Sequence, residues 1–287
     1  VKQTYKIIFR SGDKRLEISP DSACRLVEGG WRGFDCTGFD VKIRSFATAS
    51  GGYAQKRRFA EREISITFEI SSTDDPIESV RRKIISMMDP TAECSLEISM
   101  FGVDRIIDVI PCEEAKFERG TLFVPPEVTL CFIAPAVFFR DARSTVVTFR
   151  DCVPILTFPM NFMGGAGTAA AIYRTTDKTI VTNGGDGECG LVARIVANGG
   201  SVVNPGIKCG EKFVRCPITL ENGDELVIDT RQRRKNIEKN GERFFVFDKD
   251  STFFSLPSGE SKISVICDEG GEYIDAEIEY TPLYYGM

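Results

Sequence analysis

The sequence has no histidine in 287 residues. That removes the commonest general base near neutral pH, every Ser-His or Cys-His nucleophile pair, and all imidazole metal ligands. A catalyst built from this chain would need a carboxylate pair, a lysine or a bound cofactor. Aspartate and glutamate are abundant, but a glycosidase-type pair is defined by a separation in space that sequence does not display. Catalysis is the minor reading. No catalytic residue, metal ligand or cofactor is assigned.

Other absences narrow the class further. Trp31 is the single tryptophan. The longest predominantly apolar stretch, Val128 to Phe139, is too short to span a bilayer and contains Pro135. The opening Val1-Lys-Gln-Thr-Tyr-Lys6 has no apolar core of the kind a secretory signal uses, so neither secretion nor membrane insertion is expected. The ten cysteines (Cys24, Cys36, Cys94, Cys112, Cys131, Cys152, Cys189, Cys209, Cys216 and Cys267) form no Cys-x-x-Cys hook, and without histidine they complete no zinc site. Several lie in strand-like apolar runs such as Leu130-Cys-Phe132, where a thiol behaves as a small hydrophobe. A reduced, cytosolic state is favoured over disulfides.

A strong positive field is lacking too. The net charge is −6: residues 1–140 carry 20 basic and 21 acidic side chains, and the remainder 16 and 21. Neither half has the excess of cations that duplex binding needs. The one dense basic run, Arg231-Gln-Arg-Arg-Lys235, reads as a solvated hairpin tip.

What is present is β-structure. Strands are predicted at Thr4–Arg10, Arg15–Ser19 and Arg62–Ile70, then at Cys94–Met100, Arg105–Pro111 and Val128–Ile133. Arg62–Ile70 is the clearest: Ile64, Ile66, Phe68 and Ile70 alternate with Glu63, Ser65, Thr67 and Glu69, as on a half-buried antiparallel strand. One helix is predicted after Asp74-Asp-Pro-Ile-Glu78, with Asp75 as cap, Pro76 in the first turn and Glu78 completing a capping box. Its apolar stripe is Ile77, Val80, Ile84, Ile85 and Met88. The polar connection Ser45–Ala60 is either a β-hairpin arm reaching away from its own core or a plain mobile loop.

Three sequence units are expected: a first domain at 1–140, a linker at 141–155, and a second domain at 156–287. The run Met163-Gly-Gly-Ala-Gly-Thr168 lacks the lysine of a phosphate loop and reads as a turn. Beyond it, strands are predicted at Thr179–Thr182, Gly190–Ala197, Lys212–Leu220, Asp224–Thr230, Arg243–Asp248, Ser261–Asp268 and Tyr273–Tyr280. Asn-Gly turns at 183, 198, 222 and 240 separate them, the pattern of a β-sandwich or barrel.

In this order the pieces resemble the distal tail proteins of long-tailed, non-contractile bacteriophages. The resemblance rests in the first half on Ala49-Ser-Gly-Gly-Tyr53, the basic lead Arg57 into the strand ending at Ile70, and Leu130-Cys-Phe-Ile-Ala-Pro135. In the second half it rests on Asn198-Gly-Gly200, Val203-Asn-Pro205, Gly223–Thr230, Asn240-Gly241, Leu256-Pro-Ser-Gly259 and Tyr284-Tyr-Gly286. It implies a mostly β protein: an antiparallel sandwich ring domain with one helix, followed by an all-β, galectin-like sandwich. It further implies a homo-hexameric structural hub at the tail tip of the virion, assembled in the bacterial cytoplasm. Partners would be the tail tube protein, a tail-associated lysin or spike, and receptor-binding or side-fibre proteins. Genome DNA would pass through the ring without specific binding. The arm, with Thr48, Gly51, Gly52, Tyr53, Lys56 and Arg57, is the expected ring interface, since it can pair with a neighbour. Two other classes remain open, a carbohydrate-binding adsorption protein and a carboxylate-based hydrolase.

Overall fold

Alternating apolar and polar side chains build most of the chain into strands. The computed structural model describes residues 5–71, 76–118, 125–154, 171–175 and 178–287, with backbone alone at 150–154 and 171–175. The chain divides into two units: Val1–Ala142 with Leu283–Met287, and Arg143–Pro282. The Met163–Thr168 run and the Asp74–Asp75 cap lie outside the described residues.

The first unit contains β1 (Lys6–Ser11), β2 (Lys14–Ile18), β3 (Cys24–Arg32), β4 (Phe39–Ser45), β5 (Gly52–Phe59) and β6 (Arg62–Ile70). After helix α1 (Ile77–Met87) come β7 (Cys94–Met100), β8 (Val103–Pro111), β9 (Lys116–Phe117), β10 (Glu127–Ala134) and β11 (Phe139–Asp141). The main sheet runs β8-β7-β1-β2-β3-β6-β10, and β10 pairs back onto β8 through Phe132↔Pro111 and Ile133↔Ile110. The antiparallel sandwich expected for this domain is thus realised as a sheet closed into a barrel, which removes most free edges. Among the described strands only β2 and β3 run parallel. The interior is filled by the inward rows of each strand: Ile7 and Phe9, Ile64, Ile66 and Phe68, Leu96 and Ile98, Leu130 and Phe132. The Phe9 and Phe132 rings meet at 4.9 Å between centroids.

Helix α1 presents Val80, Ile84 and Met87 to this core, an i, i+4, i+7 stripe. Two members of the expected stripe, Ile77 and Ile85, are exposed instead. Ile85 follows Ile84 by one residue, so 100° of rotation carries it off the buried face. Pro76 occupies the N-cap position and makes no side-chain cap, so the helix begins one residue later than the sequence suggests.

The second unit contains β12 (Thr145–Thr148), β13 (Arg150–Pro154), β14 (Ala171–Thr175), β15 (Lys178–Asn183), β16 (Leu191–Ala197), β17 (Val202–Val203), β18 (Gly206–Cys209) and β19 (Lys212–Arg215). Then follow β20 (Thr219–Leu220), β21 (Glu225–Asp229), β22 (Asn236–Lys239), β23 (Glu242–Arg243), β24 (Gly259–Ile266) and β25 (Ile274–Tyr280). A six-stranded sheet, β12-β25-β16-β21-β22-β23, is matched by a four-stranded one, β15-β24-β18-β19. Tyr280 of β25 donates its hydroxyl proton to the Thr182 carbonyl of β15 at 2.9 Å, tying the two sheets. The expected strand Lys212–Leu220 is broken at Pro217, which has no N–H for a ladder. The expected strand Arg243–Asp248 pairs only at its first residue.

Within the span expected as a linker, 141–155, Thr145–Thr148 and Arg150–Pro154 are strands. Residues Thr145–Thr148 pair with Glu277–Tyr280. The C-terminus also departs from the expected boundary, because Leu283–Tyr284 forms a last strand, β26, that pairs with β11 of the first unit. Among the described residues no helix is long and apolar enough to cross a membrane. Four of the cysteines, Cys24, Cys94, Cys189 and Cys216, sit in the apolar interiors. Burial pushes the Cys216 thiol up to about 12, and those of Cys24 and Cys189 to about 11, so these three are inert packing groups at neutral pH.

Candidate assembly site

The polar connection of the first unit is a hairpin. Among the described residues, strands β4 and β5 pair only with each other, in a sheet of their own, from Phe39↔Phe59 at the root to Ser45↔Gly52 at the tip. The arm therefore starts six residues earlier than the polar stretch suggested, because Phe39–Ser45 supplies its first strand. A shift in register between Lys42 and Ile43 marks a bulge, which twists the ribbon. At the tip, Gly51 sits at φ +94° and the Phe46 amide donates to its carbonyl at 3.1 Å. A Cβ on Gly52 would lie 2.5 Å from the Arg44 carbonyl oxygen, so only glycine fits that close pairing.

The two faces of the ribbon differ in chemistry. Directly opposed residues of an antiparallel pair share a face. One face carries Phe39, Val41 and Ile43 with Ala54, Arg57 and Phe59; the other carries Asp40, Lys42 and Arg44 with Tyr53, Lys56 and Arg58. The apolar row is open: Phe39 is 67% exposed and Ile43 is 68% exposed. On the charged face Asp40 accepts from Lys56 at 2.6 Å and from Arg58 at 2.8 Å. These two bonds, Lys56 first, hold the Asp40 carboxyl below its ordinary range. Residues 39–59 carry five cations and one carboxylate, a basic island in a chain of net −6.

The root of the arm is held firmly. Arg62, first residue of β6, is 1% exposed and forms no ion pair among the described residues. Its guanidinium donates instead to four backbone carbonyls: Val137 at 2.7 Å, Gly33 and Asp35 at 2.6 Å, and Tyr285. The group also lies 4.6 Å from the centroid of the Phe139 ring. Burial lowers its pKa from the ordinary arginine value, opposed by the charges at Cys36 and Asp35. One cation thereby fastens the strand leaving the arm to the β3–β4 connection that enters it, to the β10–β11 connection and to the C-terminal segment. Gly33 makes this approach possible, since its φ is +80° and a Cβ there would stand 1.9 Å from the Glu63 carbonyl oxygen. Around the same root, Phe59 packs on Phe138 and Tyr285 at 4.9 and 4.8 Å between centroids.

All six residues singled out in the sequence lie on this arm. Thr48 and Gly51 are in the exposed tip, Gly52, Tyr53, Lys56 and Arg57 on β5, and the Tyr53 ring meets Phe46 at 6.0 Å. Sequence reasoning missed the apolar row of β4, although Phe39-Asp-Val-Lys-Ile43 alternates with period two. It also missed Arg62, which reads as an ordinary surface cation at a strand end.

Residues 184–284 match the family model described as "Siphovirus-type tail component, C-terminal domain". The second unit matches a phage tail component. No curated protein matches the sequence. Among solved structures, the Dit protein of phage SPP1 is similar over 97% of this chain and 98% of that one, at 14% identity and a TM-score of 0.68. That structure is described as a paradigm of the hub adsorption apparatus of phages infecting Gram-positive bacteria. The baseplate of phage P2, in its activated conformation with calcium, gives 12% identity, coverage of 98% of both chains and a TM-score of 0.48. The similarity to Dit spans both units and shows a shared fold. The tail-component match over residues 184–284 is in line with the resemblance read from the sequence.

Proposed function

We propose that this protein is a non-catalytic hub of the phage tail tip whose first unit assembles into a ring through the β4–β5 arm. The observation that carries the reading is the open apolar row Phe39, Val41 and Ile43 on a two-stranded ribbon paired to nothing else among the described residues. An isolated two-stranded hairpin is at best marginal in water, and a contiguous apolar row on it is an interaction surface. A rigid root and an unfinished sheet fit an element completed by a neighbouring copy. The ring is six-membered, as the resemblance to distal tail proteins implies, and joins the tail tube to the lysin or spike while the genome passes through. The second unit faces the receptor-binding or side-fibre proteins. Assembly takes place in the host cytoplasm, before the ring is built into the virion.

Val41→Lys together with Ile43→Lys tests the apolar row. Both side chains are exposed in the monomer, so the variant should keep the parent far-UV circular dichroism and melting temperature. In sedimentation velocity at concentrations where the parent associates, it should remain monomeric. Association equal to the parent's would remove the arm from the interface.

A further inference from the structure

The second unit carries its own open apolar surface. Phe245, Val246 and Phe247 are three consecutive exposed residues, with Phe245 78% exposed. They follow β23, which is the edge of the six-stranded sheet. The segment is pinned at both ends. The Phe244 amide donates to Ile237 of β22 at 2.7 Å, and the Asp248 and Thr252 amides donate to Arg215 and Phe213 of β19 at 2.9 and 2.8 Å. Between the pins, the amides of Phe245, Val246 and Phe247 donate to no backbone acceptor among the described residues. The span is therefore a short segment beside the edge strand whose backbone amides are free to take a partner.

A basic tip adjoins it. Residues 231–235, between β21 and β22, are exposed, as the sequence suggested. Lys235 Nζ lies 5.7 Å from the centroid of the Phe253 ring, and that ring is 6.0 Å from Phe247. Loop and tip are thus one continuous surface. Arg231 is tied to Asp229 at 2.6 Å, but no ion pair among the described residues involves Arg233, Arg234 or Lys235. Residues 231–253 hold seven cations and four carboxylates, a net of +3, within a unit (143–282) of 16 and 20, net −4. The local field has the sign opposite to that of its own domain.

We infer that Phe245–Phe247 and the basic tip form a docking surface for an acidic protein segment that bears apolar side chains and adds as an extended strand. Free backbone amides select a polypeptide, the three apolar side chains ask for apolar partners, and the unpaired cations ask for carboxylates. A phosphate polymer fits less well, because Glu242, Asp248 and Asp250 interrupt the positive surface. The inference deepens the hub reading, on which it rests for the occupant being another tail component.

The test is fluorescence anisotropy of the full chain with dye-labelled peptides of equal length. One alternates glutamate with valine, one lysine with valine, and one glutamate with serine; a heparin oligosaccharide is the fourth probe. The glutamate–valine peptide should bind, and its affinity should fall at least tenfold in Phe245→Ser/Phe247→Ser and in Arg233→Glu/Arg234→Glu. Both variants should keep the parent melting temperature, since all four side chains are exposed. Hydrogen exchange should slow at the 245–247 amides when the peptide is bound. Equal binding of the lysine peptide, undiminished affinity in either variant, or preferential binding of heparin overturns the inference. Oligomeric mass is read separately, so a failed docking surface and a failed ring are told apart.

Discussion

Asp224 shows how much a single turn residue can carry. It stands one position past Gly223 of an Asn-Gly turn and accepts from the Asn240 side-chain amide at 2.8 Å, from Lys239 at 2.9 Å and from the Glu221 amide at 3.0 Å. These bonds, Asn240 first, pull its carboxyl from 3.8 down to about 2. A carboxylate depressed in the folded state adds stability that is fully present above the unfolded pKa and is lost as pH falls through the folded one. The Asp224 contribution therefore disappears between about pH 4 and pH 2. The carboxyl carbon of Asp224, followed by NMR, should titrate with a midpoint near 2, and Asn240→Ala should move that midpoint upward. A midpoint at the ordinary aspartate value in the parent would mean that the two neighbouring turns are not bridged as described. The sequence announced both turns through Asn222-Gly223 and Asn240-Gly241. It did not announce that they meet, because β21–β22 pairing brings them together.

Strands with one wet and one dry face were the most legible elements. The limits of β6 and β7 agree with those expected, and the inward row of β6 is the one that alternation names. Strand β3 escaped notice because Gly29-Gly30 lies within it and reads as a turn. The structure uses that pair as an irregularity in register between Leu26 and Trp31. Helix α1 was found, but its face was blurred by taking every nearby apolar residue as part of the stripe. Ile84→Asp should cost about 4 kcal/mol or more, since it puts an unpaired charge into the barrel core. Ile85→Asp, 100° round from Ile84 on the exposed side, should cost within about 1 kcal/mol. Trp31, the only tryptophan, belongs to the first unit, so urea unfolding followed by its fluorescence isolates this domain. Similar midpoints for the two variants would show the helix to be rotated.

The whole chain is less sequential than its sequence suggests. Five C-terminal residues return to the first unit: β26 pairs with β11, the Met287 amide donates to Phe34 at 2.9 Å, and Tyr285 accepts from Arg62. No local pattern reveals such a return, since it depends on contacts made across more than two hundred positions. Ending the chain after Pro282 leaves part of the Arg62 guanidinium buried without an acceptor, at a cost of about 3 kcal/mol. The Trp31-monitored melting transition should then fall by roughly 10 °C. An unchanged transition would mean that the C-terminus contributes nothing to the first unit. For the same reason a fragment confined to residues 1–140 is an incomplete domain, and ring assembly is best sought in the full chain.

Because Ala60 donates to Gly38 at 2.8 Å and Phe39 pairs with Phe59, the arm can be excised at its root without disturbing the barrel. Joining Phe39 to Phe59 through Asn-Gly replaces residues 40–58 with a two-residue hairpin turn. Native mass spectrometry of the full chain and of this excision variant, over a range of concentrations and with negative-stain images of the same samples, addresses the assembly directly. The full chain should reach six times the monomer mass and show rings, while the variant stays at monomer mass with its Trp31-monitored stability retained. Monomers alone from the full chain at every concentration, or six-fold rings that persist without the arm, are incompatible with a hub built through β4 and β5.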